Sequence, residues 1–176
     1  SITNSRLPLL ALLTRMAATL ASYFMPTNTV ADFSLPATGG ETFTLSAVRG
    51  KPLVIYFYPK DNTPGCTTQA QQFRDLYAQF QKAHCEIVGI SRDSLKSHEN
   101  FKTKFSLPFA LLSDADEVAC TLFGVIKMKN MYGKQVRGIE RSTFVFDKTV
   151  TLRHEWRGLK ANGHAQDVLD FVSTLK

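Results

Sequence analysis

The feature that most constrains the fold is the run Pro52–Tyr58, whose sequence is PLVIYFY. A continuous stretch of β-branched and aromatic residues is typical of a strand covered on both faces, since a half-exposed strand alternates apolar with polar residues. After a Pro-Gly loop, the segment Cys66–Ala83 has apolar residues at spacings of three and four, which predicts an amphipathic helix. These residues are Ala70, Phe73, Leu76, Tyr77 and Phe80. The chain is therefore predicted to build an α/β domain around this strand and helix.

The segments on either side extend the α/β pattern. The Gly39-Gly40 turn between Asp32–Leu35 and Glu41–Leu45 predicts an N-terminal hairpin. Lys127–Gly138 shows no periodicity and is interpreted as a loop. The other predicted elements are a strand at Cys85–Ile90, a helix at Leu95–Phe105, a strand at Pro108–Leu112, a helix at Asp116–Phe123 ended by Gly124, antiparallel strands at Glu140–Phe146 and Val150–Trp156, and a terminal helix from Asn162 or Gly163. Together they predict a mixed central β-sheet flanked by helices.

Composition limits the function classes. The chain has 176 residues, 44% of them hydrophobic, which suits a single globular domain with a full core. Its formal net charge is +6, but the basic residues are interleaved with acids such as Asp93, Glu99 and Asp114. A nucleic-acid or lipid surface more often has clustered basic residues. The charge is therefore interpreted as solvated surface, and no nucleic-acid partner is expected.

Residues 1–25 are interpreted as an extension that precedes a domain spanning 26–176. The segment Leu7–Phe24 is mostly apolar, and its apolar residues fall on one face at helical spacing, which predicts an extra N-terminal amphipathic helix. Arg15 interrupts the run, so it lacks the roughly 18 uncharged apolar residues of a membrane span, and no stable span is expected. A docking helix, a presequence for export or an organelle, and a mistaken start all remain open.

The cysteines point to a reactive thiol. Cys66, Cys85 and Cys120 form no C-x-x-C pair and have no histidine at zinc-finger spacing, so no metal site is expected. An odd count in a chain of this length also argues against a disulfide-stapled secreted scaffold and favours a reducing compartment, with the cytoplasm as the default. The four histidines (His84, His98, His154 and His164) are isolated in sequence, so surface or hydrogen-bonded structural roles are expected for them.

The segment with most chemical information is Tyr58–Phe73, YPKDNTPGCTTQAQQF. Only a thiolate attacks as a sulfur nucleophile, and the unpaired N–H groups and positive dipole end of a helix N-terminus favour the anion. Cys66 falls at such an end, while Thr63 is close enough for its hydroxyl to turn towards the sulfur or a bound peroxide. The alternative is that Thr63 only caps the helix and that Cys66 is an inert buried thiol.

These motifs resemble a known family. The spacing Pro59-x3-Thr63-x2-Cys66 matches the P-x-x-x-[TS]-x-x-C signature of peroxiredoxins. The longer YPKDNTPGCTTQA is similar to the branch known as bacterioferritin comigratory protein, or PrxQ. Further segments of the same resemblance are GISRDS at 89–94, LLSDAD at 111–116, LFGV at 122–125 and RSTFVFD at 141–147.

The resemblance implies a thioredoxin-like fold and thiol-dependent reduction of hydrogen peroxide or organic hydroperoxides without a metal or flavin. It makes Cys66 the peroxidatic cysteine and Arg141 the active-site arginine, whose cation would stabilise the thiolate and polarise the O–O bond. From the residues alone, Arg141 would be interpreted as a surface ion pair. Gln69, one helical turn beyond Cys66, is a weaker candidate to orient Thr63 or Arg141, and a solvent-facing role is equally open.

The thiol that completes the cycle is the point at which this chain departs from the family. Many relatives carry a resolving cysteine five residues after the peroxidatic one, where Gln71 stands here, and others carry it near Lys102. Cys85 lies beyond the helix, roughly 25 Å from Cys66 at about 1.5 Å per helical residue, and a disulfide needs Cα atoms within about 7 Å. Cys120 is predicted to fill a core position. A one-cysteine cycle is therefore favoured, with local unfolding to reach Cys85 as the minority interpretation.

The expected partners are a hydroperoxide and an external thiol such as thioredoxin, glutaredoxin or glutathione, with the chain a monomer or weak dimer. Tyr56, Phe57 and Phe123 are candidates to line the cleft at Cys66, although strand burial explains the first two equally well. A noncatalytic binding or chaperone-like module with the same fold is the alternative function. Intact Pro59, Thr63, Cys66 and Arg141 argue against that alternative.

Overall fold

The computed structural model describes residues 28–175; the segment expected to form the N-terminal helix lies outside them. Described in chain order, the strands are β1 (Ser34–Ala37), β2 (Glu41–Thr44), β3 (Leu53–Phe57), β4 (Glu86–Ser91), β5 (Ala110–Ser113), β6 (Ile126–Met131), β7 (Lys134–Ile139), β8 (Ser142–Phe146) and β9 (Leu152–Arg157). The α-helices are α1 (Pro64–Lys82), α2 (Leu95–Phe105), α3 (Val118–Phe123) and α4 (His164–Val172), and a short 3₁₀ helix covers Leu45–Val48. No helix in this part of the chain is long and apolar enough to cross a membrane.

Seven strands form one mixed sheet in the order β2-β1-β5-β4-β3-β8-β9. The three strands β3, β4 and β5 run parallel, whereas β8 pairs antiparallel with both β3 and β9, and β1 pairs antiparallel with β2 and β5. The helices α1 and α2 are the crossovers between the parallel strands. The predicted α/β, thioredoxin-like arrangement with an N-terminal hairpin is confirmed.

Strand β3 is buried along its whole length, as its sequence predicted. On one face Val54 and Tyr56 pack in a core with residues of α1, α2 and α4, and the Tyr56 and Phe73 rings stack with centroids 4.8 Å apart. On the other face Ile55 and Phe57 pack with α3 and the N-terminal hairpin. Because both faces are covered by apolar layers, the polar groups that carry chemistry collect where the strand ends.

The prediction of a loop at Lys127–Gly138 is wrong. This segment forms the two-stranded sheet β6–β7, with Ile126 opposite Ile139 and a turn at Tyr132 and Gly133, which both have positive φ (52° and 77°). That turn geometry matches the right-handed twist of a hairpin. The signal is missing from the sequence because most of these side chains are exposed, so no apolar alternation marks the strands.

Candidate active site

Cys66 lies in the first turn of α1, where its sulfur is within reach of the helix N-terminus. Helix α1 begins at Pro64 with Thr63 as its N-cap, so Cys66 is the third helical residue. Proline suits this position because the first N–H groups of a helix have no partner within it. The Cys66 side chain is only 1% exposed. The thiol is therefore held at the positive end of α1 and shielded from bulk water.

Arg141 reaches this sulfur through the pairing of β8 with β3. The antiparallel register places Ser142, the first residue of β8, opposite Phe57, the last residue of β3. Arg141 therefore lies beside the loop that starts α1, although it is far from Cys66 in sequence. Its Nη2 donates to Cys66 Sγ at 3.3 Å. The surface ion pair that the residues alone would favour for Arg141 is not what the fold provides.

Gly65 shows how close this approach is. A Cβ atom built at Gly65 would lie 3.1 Å from Arg141 Nη2. Few real Cβ contacts are that short, so a larger residue would push the guanidinium away from the sulfur. The Pro-Gly-Cys order thus leaves space for the arginine as well as shaping the turn.

Gln69 lies inside the site and not towards solvent. Its side chain is fully buried, and its Oε1 accepts a hydrogen bond of 2.6 Å from Arg141 Nη1. The two guanidinium nitrogens are therefore divided between Gln69 and Cys66. The amide nitrogen Nε2 of Gln69 is buried without a hydrogen-bond partner among the described residues. This leaves a free donor one helical turn from the sulfur.

The Thr63 hydroxyl forms its hydrogen bond within the loop and does not cap the helix. Its Oγ1 donates to the carbonyl oxygen of Lys60 at 2.8 Å, and it makes no side-chain cap bond. The backbone carbonyl of Thr63 accepts from Thr67 at 2.9 Å, which continues the helix ladder. Pro59 is half-buried in the bend before this loop. Both residues sit in the loop that leads to Cys66.

Lys129, which the sequence interpretation missed, faces the same site from β6. Its Nζ donates to the carbonyl oxygen of Ile139 at 2.6 Å. Burial, followed by the positive charge of Arg141, lowers the pKa of the Lys129 ammonium, while Glu140 and Cys66 oppose that shift. The only available signal was its place in a segment that ends at Ile139, two residues before Arg141. Without recognising the hairpin, no spacing links residue 129 to residue 66.

Of the three aromatic residues expected around the cleft, only Tyr56 lies on the side of the sheet that carries Cys66. Burial, followed by the charges of Cys66 and Asp61, raises the pKa of the Tyr56 hydroxyl well above its ordinary value. Phe57 and Phe123 pack together in the core on the opposite face, with centroids 5.1 Å apart. The expectation for those two was wrong: Phe57 alternates with Tyr56 to the other face of β3, and Phe123 lies on α3, which packs against that other face.

The other two cysteines are buried free thiols at different places in the fold. Cys85 follows the C-terminus of α1 and is 3% exposed. Its burial, and secondarily the charge of Glu86, raises the pKa of this thiol to about 12. Cys120 is fully buried in α3, as expected, and burial together with Asp114 raises the pKa of its thiol. Neither thiol is activated in the folded state.

Comparison with known proteins gives a consistent family assignment. Residues 26–155 match the model of the AhpC/TSA family. Peroxiredoxin Bcp of Xanthomonas campestris is 54% identical over 138 residues, which are 78% of this chain and 86% of that protein. Peroxiredoxin Bcp of Bacillus subtilis is 46% identical over 144 residues, which are 82% and 92% of the two chains.

Solved structures agree with the sequence comparison. A structure of the X. campestris bacterioferritin comigratory protein, from work on its alkyl peroxide reduction activity, superposes with a TM-score of 0.77 at 50% identity and covers 85% of this chain and 94% of that one. A structure of peroxiredoxin Q from the same organism gives a TM-score of 0.78 with the same coverage and identity. The chain therefore belongs to the AhpC/TSA family, in the branch of bacterioferritin comigratory proteins and PrxQ peroxiredoxins.

Proposed function

We propose that the chain is a thiol-dependent peroxidase in which Cys66 is the nucleophile. The observation that carries the proposal is the contact of 3.3 Å between Arg141 Nη2 and Cys66 Sγ at the N-terminus of α1. A guanidinium and a helix N-terminus both favour the thiolate over the thiol. The names of its relatives, which are peroxiredoxins, and the alkyl peroxide reduction described for the X. campestris protein support the same activity.

In the proposed reaction the Cys66 thiolate attacks the terminal oxygen of a hydroperoxide in line with the O–O bond. A sulfur–oxygen bond forms, the O–O bond breaks, and Cys66 is left as a sulfenic acid. The leaving hydroxide or alkoxide takes a proton from solvent and departs as water or alcohol. Arg141 stabilises the thiolate and the charge that develops on the leaving oxygen. Gln69 holds the second nitrogen of the guanidinium and so fixes its direction.

Thr63 and Pro59 shape the space above the sulfur. The Thr63 hydroxyl is bonded to the Lys60 carbonyl. In the proposed reaction this hydroxyl exchanges the Lys60 carbonyl for the incoming peroxide as its hydrogen-bond partner. Pro59 lacks an N–H and has a fixed φ, which restricts the bend at the start of the loop that leads into α1.

Stopped-flow oxidation of the reduced protein by hydrogen peroxide and by an organic hydroperoxide tests the proposal. Wild type is compared with Cys66→Ser, Cys85→Ser and Cys120→Ser. Fast oxidation that only Cys66→Ser abolishes is the expected result. Wild type reacting no faster than a free thiol would refute peroxidase activity and favour a noncatalytic binding module with this fold.

We further propose a one-cysteine cycle. Cys66 is the redox-active cysteine of the chain, and an external thiol such as thioredoxin, glutaredoxin or glutathione reduces its sulfenic acid. Gln71 and Lys102 occupy the positions where relatives carry a second cysteine. Cys85 lies past the end of the 19-residue helix α1, so roughly 25 Å of helix at about 1.5 Å per residue separates it from Cys66. An external thiolate attacks the sulfenic sulfur, water leaves, and a second thiol reduces the mixed disulfide.

Mass spectrometry of peroxide-treated protein tests the one-cysteine cycle. With no added thiol, we expect Cys66 to remain a sulfenic acid that a dimedone probe captures. An intramolecular bond between Cys66 and Cys85 that forms at the rate of turnover would contradict the proposal and support local unfolding of α1.

The reducing chemistry of the cycle is consistent with the cytoplasm, where thiols stay reduced. We propose that the chain works there as a monomer or weak dimer. Light scattering after gel filtration over a range of concentrations, with reduced and oxidised protein, measures the assembly state; a stable larger oligomer in either state would overturn it.

A further inference from the structure

Beneath the loop between β3 and α1, five polar side chains form a second hydrogen-bonded group, which we call the Asp61 network. Its members are Tyr58, Asp61, Asp93, Ser97 and His98. Asp61 is 5% exposed and His98 is 0% exposed. Buried ionisable groups are costly unless they are paired, so the partners of these two residues determine what the network does.

The Asp61 carboxylate accepts three hydrogen bonds. Its Oδ1 accepts from the Tyr58 hydroxyl at 2.6 Å, and its Oδ2 accepts from Ser97 Oγ at 2.8 Å and from His98 Nδ1 at 2.7 Å. Burial raises the pKa of this carboxyl, but the bonds from His98, Tyr58 and Ser97 outweigh it, so the pKa lies below its ordinary value. The group is therefore a carboxylate at neutral pH.

His98 faces acceptors on both sides of its ring. Its Nδ1 is bonded to the Asp61 carboxylate, and its Nε2 lies 2.9 Å from the carbonyl oxygen of Leu112. Neither partner can donate a hydrogen, so both ring nitrogens must carry one. The ring is then a buried imidazolium, and Asp61 is its counter-ion. This pair spans the gap between the loop and α2.

The backbone of the loop is held at the same point. The amide of Asp61 donates to Asp93 Oδ2 at 2.9 Å, and that oxygen also accepts from Ser91 Oγ at 2.5 Å. Asp93 follows β4, so the backbone amide of Asp61 ties the loop to the end of β4. The carboxylate of the same residue ties the loop to α2. Two residues after Asp61 comes Thr63, and two residues before it lies Pro59.

We propose that Asp61 is a positioning residue for the peroxidase reaction: its pairing with His98 fixes the loop that carries Pro59 and Thr63 and leads into the first turn of α1 at Cys66. Asp61 acts through this loop and not on the peroxide itself. The proposal rests on the proposed peroxidase function. The Asp61 network then contributes to the rate of peroxide attack by holding the loop in place, in addition to any contribution to folding.

A metal site is the competing explanation of the same cluster, because ligand atoms of Asp61, Asp93 and His98 lie within 4.8 Å of one another. A histidine that binds a metal must offer a lone pair. The partners of His98 instead require a hydrogen on each nitrogen. The ion pair is therefore the better account, and metal content becomes one outcome of the test.

The kinetic test compares two reactions of Cys66 in Asp61→Ala. Oxidation by hydrogen peroxide requires the positioned loop as well as the thiolate, whereas alkylation by iodoacetamide at the same sulfur depends on the thiolate and on access to it. We expect the peroxide rate constant to fall at least tenfold and the alkylation rate constant to change less than threefold. Asp61→Asn keeps one acceptor oxygen but loses the charge that pairs with His98, so it should recover only part of the peroxide rate.

Asp32→Ala is the matched control. The Asp32 carboxylate accepts hydrogen bonds from the backbone N–H and the hydroxyl of Ser46, and these bonds lower its pKa, as bonds do for Asp61. Asp32, however, lies in the N-terminal hairpin region. Its removal should leave both rate constants within twofold of wild type. Equal losses in both reactions of Asp61→Ala, or no loss in either, would overturn the positioning role. Slow peroxide reaction of wild type itself would instead refute the proposed function.

Two further measurements do not depend on the folding of Asp61→Ala. The double variant Tyr58→Phe, Ser97→Ala keeps the ion pair but removes two donors to Asp61, and its peroxide rate should fall about threefold; an unchanged rate counts against the proposal. In wild type labelled with ¹⁵N-histidine, NMR at neutral pH should show two ring N–H signals for His98. A single ring N–H signal, or a stoichiometric metal by elemental analysis, would overturn the ion pair.

Discussion

At the scale of single residues, the proposed chemistry depends most on the contact between Arg141 and Cys66. Arg141 Nη2 donates to the sulfur and Nη1 donates to Gln69 Oε1, so both ends of the planar guanidinium form a hydrogen bond in the site. A lysine at this position would present a single charged nitrogen on a flexible stem, without the rigid fork that aims two nitrogens at two partners. The arrangement therefore requires an arginine and not only a positive charge.

Replacing Arg141 by lysine should lower the rate constant of Cys66 oxidation by about 10- to 100-fold, because one preorganised donor to the reacting centre is lost. Stopped-flow fluorescence or a competition assay for hydrogen peroxide measures this. Arg153→Lys is the control, since Arg153 forms an exposed ion pair with Asp147. Equal rates for Arg141→Lys and wild type would show that charge alone suffices.

The thiols should differ in reactivity. Since burial raises the pKa of Cys85 to about 12, that thiol stays protonated at pH 8 and becomes a thiolate only when the pH approaches 12 or the chain unfolds. Treatment of native protein with iodoacetamide at pH 8 should therefore label Cys66 well before Cys85, as read by peptide mass spectrometry. Labelling of Cys85 at the same rate in the native state would contradict this and would revive it as a resolving thiol.

At the scale of elements, the packing of β4 against β3 has little tolerance. Gly89 lies opposite Tyr56 in the parallel pair. A Cβ atom at Gly89 would come within 2.8 Å of the Tyr56 ring and hydroxyl and 3.0 Å of a Leu111 methyl. Because Tyr56 is buried and stacked on Phe73, it has little freedom to move aside. The glycine lets the tyrosine ring lie across the neighbouring strand.

Gly89→Ala should therefore lower the free energy of unfolding by about 1 to 3 kcal/mol, the usual cost of overpacking a core. Urea denaturation followed by circular dichroism measures the change. Gly138→Ala is the matched control in β7, where a new Cβ would lie 3.8 Å from Arg92 Nη2, an ordinary contact. Similar stabilities for Gly89→Ala and wild type would show that Tyr56 repacks freely.

At the scale of the whole molecule, stability should depend on pH through groups buried in the core. Burial lowers the pKa of His164 from 6.5 to about 4, and its Nε2 lies 2.9 Å from Thr143 Oγ1. The unfolded chain then binds a proton more tightly than the folded one. Asp61 acts in the same direction, since its lowered pKa makes the folded state prefer the carboxylate.

The stability that neutral His164 contributes should thus be retained above pH 6.5 and lost as the pH decreases towards 4, a fall of about 3 kcal/mol in the free energy of unfolding. His164→Gln should flatten the curve between these values, as measured by urea denaturation at several pH values. A wild-type stability that is constant from pH 7 to pH 4.5 would contradict the assignment of His164 as neutral and buried.

Local patterns determined much of this protein. The apolar run at 52–58 predicted the central strand, the spacing of apolar residues predicted α1, and α2 was predicted with both ends correct. The motif around Cys66 pointed to the family, because its residues are close in sequence. Such features depend on neighbours within a few positions, and propensity and periodicity report those directly.

Tertiary structure decided everything that depends on pairing between distant segments. The pairing of β8 with β3 brings Arg141 to Cys66, and α1 directs Gln69 inward to meet it. The β6–β7 hairpin, which brings Lys129 to the site, left no apolar alternation to recognise. His98, isolated in sequence, finds Asp61 only when α2 packs beside the loop. Strand register and helix packing create these contacts, and no local spacing specifies either one.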